Sequence, residues 1–100
     1  KVMDPRVSED RVPSYKKVEE KIREIDNTII IARIYYIFNH LSSTVYRFQL
    51  IKKNKMCIVE IPKKLLDNLK KDSNSALEQE LTDMLNLYVQ RSECWAEFER

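Results

Sequence analysis

The sequence predicts an α+β domain with one N-terminal helix, a small antiparallel sheet of two or three strands, and two C-terminal helices packed on one face of that sheet. Two β-rich runs, residues 44–52 and 56–61, flank a short polar turn at residues 53–55, which is the pattern of a hairpin. Apolar residues at helical spacing precede and follow this hairpin. A chain of 100 residues is long enough to bury one such core.

The N-terminal part of the chain divides into an arm and a helix. Residues 1–13 contain two prolines, mixed charges and almost no apolar periodicity, so we expect a flexible arm before a single domain of residues 14–100. Ser14 is a suitable N-cap for the helix that follows, which should end near residues 26 and 27. The apolar stripe of this helix has spacings of four and three: Val18, Ile22, Ile25 and Ile29.

The segment at residues 28–38 permits two interpretations. Its β-branched and aromatic content favours a strand. Six apolar residues in and just after it would instead form one helical stripe: Ile30, Ile31, Ile34, Ile37, Phe38 and Leu41. We expect a strand, and a helix that continues from Ser14 is disfavoured because the apolar stripe changes phase across residues 26–28. Both faces of this strand are apolar, so we expect a central position in the sheet.

The hairpin at residues 44–61 is the clearest element of the sequence. Its two strands alternate so that one face is apolar and suited to the core: Tyr46, Phe48, Leu50, Cys57, Val59 and Ile61. Arg47, Gln49 and Glu60 alternate onto the opposite face. We therefore expect water to contact that face of the hairpin.

Two helices are expected after the hairpin. Pro62 is suited to the first turn of a short helix that ends near Lys71. Ser75 and Glu78 match a capping box, so the last helix should begin near Ala76. The apolar stripe of the last helix reaches Trp95 if the helix continues that far: Leu77, Leu81, Met84, Leu85, Tyr88 and Trp95.

The sequence holds no recognisable catalytic or metal-binding constellation. The chain has no glycine, which excludes glycine-rich phosphate loops. Its one histidine, His40, has no second histidine or adjacent cysteine with which to build a zinc site. A dyad would require Cys94 or a serine to approach His40 in space, and the sequence leaves that approach open. We predict no enzyme activity, no cofactor and no metal.

The two cysteines, Cys57 and Cys94, lack CxxC spacing and are too few for the disulfide framework of a small secreted domain. We expect a reducing compartment, with Cys57 as a buried small hydrophobic residue. The most apolar run, residues 28–38, is about half as long as the roughly 20 residues of a membrane helix. The N-terminal residues resemble neither a signal nor a transit peptide. We therefore predict a soluble, cytoplasmic domain with no membrane partner.

The run from Cys57 to Leu69, CIVEIPKKLLDNL, resembles the strand and first helix of ribbon-helix-helix repressors, and with the last helix it covers roughly a third of the chain. In that family the strand pairs across a dimer and inserts its polar face into the DNA major groove. The chain departs from the family at the contact positions, where Ile58 and Glu60 stand in place of basic or amide groups. The strand also has a predicted partner within the chain, residues 44–52.

Charge is segregated along the sequence. Residues 47–71 hold eight basic and two acidic residues, whereas residues 72–100 hold two basic and seven acidic ones. A solvated surface whose two parts attract each other explains this pattern, and weak nucleic-acid binding is the alternative, since clustered lysines contact phosphates irrespective of sequence. The residues proposed for nucleic-acid contact are Arg47, Lys52, Lys53, Lys55, Lys63 and Lys64.

A non-enzymatic interaction or regulatory domain that self-associates is the function that the sequence favours. Its aromatic residues, at an otherwise polar terminus and on an apolar segment, exceed what a minimal core requires. A homodimer is the simplest way to bury them, and packing of Trp95 into its own domain is an equal alternative. The proposed interface residues are Tyr35, Tyr36, Trp95 and Phe98.

Overall fold

Three strands that follow one another in the chain form an antiparallel meander, and a short fourth strand pairs with the third. The computed structural model describes residues 6–38, 44–72 and 74–97. The elements in chain order are α1 (Tyr15–Ile25), β1 (Ile30–Ile37), β2 (Val45–Lys52), β3 (Lys55–Pro62), α2 (Lys63–Lys71), α3 (Ser75–Val89) and β4 (Ala96–Glu97), with 3₁₀ turns at Glu9–Arg11 and Ser92–Cys94. The strand order is β1-β2-β3-β4, and each neighbouring pair is antiparallel.

The predicted α+β class is confirmed, with its N-terminal helix, its hairpin and its two C-terminal helices. The interpretation of residues 28–38 as a strand is also confirmed, since they contain β1. Its central placement is wrong, because β1 lies at the edge of the sheet. Among the described residues the sheet has four strands rather than two or three, and α3 ends at Val89, so the condition for a helical stripe that reaches Trp95 is not met. A strand of two residues such as β4 is too short to show an alternating pattern.

The core lies between one face of the sheet and the three helices. The buried strand residues all alternate onto this face, and α1, α2 and α3 each contribute buried apolar side chains to the same cluster. The predicted core face of the hairpin and the predicted apolar stripe of the last helix share this core with α2, as these residues show: Tyr46, Phe48, Val59, Leu66, Leu81 and Leu85. Burial of these large side chains is the main source of the stability of the domain.

Two turns adopt positive φ without glycine. Ser14 has φ 59° and Lys53 has φ 58°. Ser14 is the N-cap residue of α1, as predicted, but its hydroxyl donates a hydrogen bond of 2.8 Å to the Leu66 carbonyl oxygen instead of capping the helix. In a chain without glycine, Asn and Asp are the residues that most often take positive φ, and Lys53 departs from that rule because tight hairpin turns demand positive φ to match the twist of the strands.

Residues 6–13, the described part of the predicted N-terminal arm, lie against the domain. Arg6 forms an antiparallel bridge with Tyr35, and the Val7 amide donates a hydrogen bond of 2.9 Å to the Ile34 carbonyl oxygen. Val12 is 5% exposed and belongs to the core. This segment therefore extends the fold along the free edge of β1 before α1 begins. Residues 1–5 of the predicted arm lie outside the described residues.

The strand that resembles a ribbon-helix-helix strand is held within the sheet of its own chain. Along its whole length β3 pairs with β2, and its other edge pairs with β4 at Lys55 and Met56. In a ribbon-helix-helix dimer the strand pairs instead with its counterpart in the second copy. The likeness therefore extends only to a strand, a proline and a helix in succession.

Candidate functional site

One face of the sheet is covered by helices, and the opposite face is not covered by any element among residues 6–38, 44–72 and 74–97. All buried strand residues point to the helices, and the side chains that alternate with them are half-buried or exposed. We call this second surface the outer sheet face. Its residues on β1, β2 and β3 are Ile30, Arg33, Tyr35, Ile37, Val45, Arg47, Gln49, Ile51, Met56, Ile58, Glu60 and Pro62.

The outer sheet face is apolar at both ends. Cross-strand register places its residues in rows of three, one from each strand. The end rows are Ile37, Val45 and Pro62 at one end, and Ile30, Ile51 and Met56 at the other. Ile30 is 62% exposed, which is unusual for a large aliphatic side chain within a strand. Apolar rows on an uncovered sheet face are typical of a surface that contacts another protein.

The two middle rows of the outer sheet face are polar. One row aligns Tyr35, Arg47 and Glu60, and Arg47 donates hydrogen bonds to Glu60 Oε2 from Nε at 2.8 Å and from Nη2 at 2.6 Å. The other row aligns Arg33, Gln49 and Ile58. The guanidinium of Arg47 is thus neutralised within its own sheet. Cross-strand pairs of opposite charge stabilise a sheet modestly, by roughly 0.2 to 1 kcal/mol.

The four aromatic residues proposed for an interface do not form one surface. Tyr35 lies on the outer sheet face, whereas Tyr36 points to the helix side, where its ring lies 5.4 Å from that of Tyr46. Trp95 is half-buried against the core, and its Nε1 donates a hydrogen bond of 2.8 Å to the Val89 carbonyl oxygen. Phe98 lies outside the described residues. The aliphatic end rows were missed because alternation alone does not reveal which apolar strand face the helices leave uncovered.

The expectation of two unpaired, reduced cysteines is wrong in this structure. Cys57 is fully buried, as predicted, but it forms a disulfide with Cys94, with 5.1 Å between their Cα atoms. The bond spans 37 positions of sequence and depends on the return of the chain after α3 to the edge of β3. Neither the spacing of the cysteines nor local periodicity encodes that return. His40, whose approach to Cys94 was open, lies outside the described residues.

A cleft of about 410 Å³ opens beside Trp95, where the ends of α1 and α3 meet the β2–β3 turn. Lys52 Nζ lies 4.9 Å from the centroid of the Trp95 ring and 3.2 Å from Asp26 Oδ2. The hydroxyl and backbone amide of Thr28 donate to Asp26 Oδ1. These hydrogen bonds, with a smaller contribution from Lys52, lower the pKa of Asp26 to about 2. Asp26 is therefore a carboxylate throughout the neutral range.

The basic residues proposed for nucleic-acid contact lie at three separate places. Lys52, Lys53 and Lys55 surround the hairpin turn at one end of the sheet, whereas Lys63 and Lys64 begin α2 at the other end. Strands of eight residues separate these ends by roughly 23 Å. Arg47 lies between them on the outer sheet face and is paired with Glu60. The fold therefore separates in space the basic residues that lie close together in the sequence.

Within the ranges that the structure describes, two classes of site are not seen. No group of three or more His, Cys, Asp or Glu side chains there could hold a metal ion. Among the same residues, no helix is both long and apolar enough to cross a membrane. Comparison with protein-family models, with curated proteins and with solved structures gives no match to this chain.

Proposed function

We propose that this chain is a non-enzymatic interaction domain that self-associates through its outer sheet face. The observation that carries the proposal is the uncovered state of that face together with its two apolar end rows. A domain seldom leaves two rows of apolar side chains on an uncovered strand face unless it binds something there. A second copy of the chain presents the same apolar rows and is the simplest partner.

The charges on the middle rows favour one arrangement of the two copies. A two-fold axis parallel to the strands would place Arg47 of the central strand opposite its own counterpart, which is a repulsive contact. An axis across the strands instead places Arg47 opposite Gln49 of the second copy and Arg33 opposite Tyr35. Arg33 over a tyrosine ring is a favourable cation–π contact. With the same axis, the end row that contains Ile37 in one copy faces the end row that contains Ile30 in the second copy.

The size of the outer sheet face indicates a weak dimer. Three strands of eight residues cover roughly 26 by 14 Å, from the rise along a strand and the spacing between strands. A standard stable interface buries about 800 Å² of each partner, and a surface of this size provides less. We therefore expect self-association that depends on concentration and that dilution reverses.

The first prediction tests the outer sheet face by measuring mass with light scattering across a dilution series. Ile30→Lys places a charge in an apolar end row, which faces the other apolar end row of the second copy, and should raise the dissociation constant of the dimer roughly tenfold or more. Leu87→Lys is the matched control, because Leu87 is 54% exposed on α3 and lies away from the sheet face. The control should associate as the wild type does.

Three outcomes would contradict this proposal. A wild-type chain that remains monomeric at high concentration excludes self-association. An unchanged dimer in Ile30→Lys excludes the outer sheet face. A dimer that Trp95→Ala dissociates without loss of thermal stability would move the interface to the C-terminal aromatic residues. If Trp95 is part of the core, that variant should instead melt at a lower temperature with its mass unchanged.

Weak nucleic-acid binding is the alternative proposal. It rests on the lysines at the two ends of the sheet, each of which supplies a few phosphate contacts. A single continuous contact with nucleic acid would have to span both ends of the sheet.

The bonded state of Cys57 and Cys94 favours an oxidising compartment over the cytoplasm proposed from the sequence. Alkylation of free thiols in intact cells, followed by mass measurement of the chain, decides between the two locations.

A further inference from the structure

Residues 92–97, at the end of the described part of the chain, are attached to the rest of the domain by one disulfide and a few weaker described contacts. We call residues 92–97 the C-terminal clasp. The Cys57–Cys94 disulfide joins it to β3, and the described residues of β4 pair with Lys55 and Met56 of that strand. Trp95 adds one hydrogen bond, its contact with Lys52 and partial packing against the core. The disulfide is therefore the strongest attachment of the clasp.

The two cysteine residues differ in their exposure to solvent. Cys57 is fully buried within β3, whereas Cys94 is partly exposed at the end of the 3₁₀ turn Ser92–Cys94. A thiolate from solution can therefore approach Cys94 Sγ and not Cys57 Sγ. Attack at Cys94 releases Cys57 of β3 as a thiolate inside the core.

We propose that the Cys57–Cys94 bond is a redox switch. The oxidised bond holds the C-terminal clasp on the edge of β3, and reduction allows the clasp to open. The reductant is a small dithiol or two small monothiols. The first thiolate forms a mixed disulfide with Cys94 and releases Cys57, which takes up a proton. A second thiol then attacks the small-molecule sulfur of the mixed disulfide and releases Cys94, which is protonated in turn. Two electrons and two protons reach the protein, and one small-molecule disulfide forms.

The fold can accommodate both cysteines as thiols. Cys57 Sγ lies 3.9 Å from the Tyr88 carbonyl oxygen, and Cys94 Sγ lies 3.7 Å from the Ile58 carbonyl oxygen. Each thiol formed by reduction therefore has an acceptor within reach of a weak S–H hydrogen bond. The meander and the three helices share a core that extends well beyond Cys57. Reduction should consequently leave that core folded.

Without the disulfide, the clasp depends on contacts that open readily. A two-residue strand is too short to be stable by itself, and the contact between Lys52 and Trp95 lies at the edge of an open cleft. Opening would free the backbone groups through which β3 pairs with β4 and would expose the Trp95 ring to solvent. An uncovered strand edge is a surface on which another chain can add a strand. This inference does not depend on self-association through the outer sheet face.

The second prediction compares the oxidised protein with the protein treated with dithiothreitol under native conditions. Thiol titration should rise to two thiols for each chain, since the chain has two cysteines. Hydrogen exchange at those amides of residues 55, 56, 96 and 97 that point across the pairing of β3 with β4 should then accelerate roughly tenfold or more through local opening. Amides between β2 and β3, around Phe48 and Val59, serve as the internal control and should stay protected. Quenching of Trp95 fluorescence by acrylamide should increase, and the chain has no other tryptophan.

Two variants supply an independent arm of the experiment. Cys94→Ser and Cys57→Ala remove the bond without any reductant, and both should show the faster exchange and the stronger quenching in oxidising buffer. Unchanged exchange and quenching in reduced protein that carries two free thiols would overturn the proposal. Global unfolding on reduction, seen as loss of far-ultraviolet circular dichroism, would also overturn it, because the bond would then be a structural staple. A disulfide that dithiothreitol does not reduce under native conditions would likewise overturn the proposal, because the bond would then be structural.

Discussion

At the scale of single residues, the turn between α1 and β1 depends on one carboxylate. Asp26 accepts hydrogen bonds from the amide and the hydroxyl of Thr28, and its second oxygen pairs with Lys52. The pKa of Asp26 is lowered from 3.8 to about 2. A lowered pKa in the folded state stabilises the fold above the ordinary pKa of the group. That contribution is lost as the pH falls through about 2.

The third prediction follows from the direction of this pKa shift. The melting temperature of the wild type should decrease between about pH 4 and pH 2, in part through protonation of Asp26. Asp26→Asn should weaken this decrease, so that the variant is less stable than the wild type at pH 6 and approaches it near pH 2. Circular dichroism melts across this range provide the measurement. Glu80→Gln, which neutralises an exposed carboxylate on α3, is the control and should follow the wild-type curve. Parallel curves for Asp26→Asn and the wild type would exclude this role for Asp26.

At the scale of elements, α3 begins with a different cap from the predicted capping box. The Asn74 side-chain oxygen accepts a hydrogen bond of 2.9 Å from the Leu77 amide, and the helix starts at Ser75. Glu78, the proposed partner of Ser75, reaches across to α1 and pairs with Lys17 and Lys21. The local pattern therefore located the start of the helix within one residue but assigned its cap to the wrong side chain.

The fourth prediction separates the two caps of α3 by chemical denaturation. Asn74→Ala should lower the free energy of unfolding by about 1 kcal/mol, which is the usual cost of losing an N-cap. Ser75→Ala is the matched control and should change it by less than about 0.5 kcal/mol, the usual range for a surface position. A larger loss of unfolding free energy in Ser75→Ala than in Asn74→Ala would support the predicted capping box instead.

The elements that were predicted correctly have strong local patterns. Alternation identified β2 and β3, and helical spacing identified α1 and α3, because these patterns arise within a few residues of each other. The edge position of β1 and the pairing of Cys57 with Cys94 depend on contacts between distant segments. The outer sheet face was predicted only as a wet hairpin face carrying Arg47, Gln49 and Glu60. Its apolar end rows become visible only when β1 is in register beside β2.

At the scale of the whole molecule, the distribution of lysines determines how nucleic acid would be bound. The fifth prediction is that duplex DNA and single-stranded RNA bind weakly and that binding weakens steeply as salt increases. Lys53→Glu with Lys55→Glu at the hairpin end, and Lys64→Glu with Lys71→Glu at the α2 end, should each reduce binding by a similar factor. Titration at two salt concentrations measures both effects. Tight binding at physiological salt that only the hairpin-end pair abolishes would support a localised site and would favour the alternative function.

The position of α3 after the sheet has a consequence for synthesis on the ribosome. Leu81 and Leu85 of α3 are fully buried against the rest of the core. The meander, α1 and α2 therefore emerge before the helix that completes the cover over their apolar face. During that interval the nascent chain exposes the kind of apolar surface that chaperones bind. Cys94 emerges later still, so the disulfide can form only after the whole sheet meander and α3 have been translated.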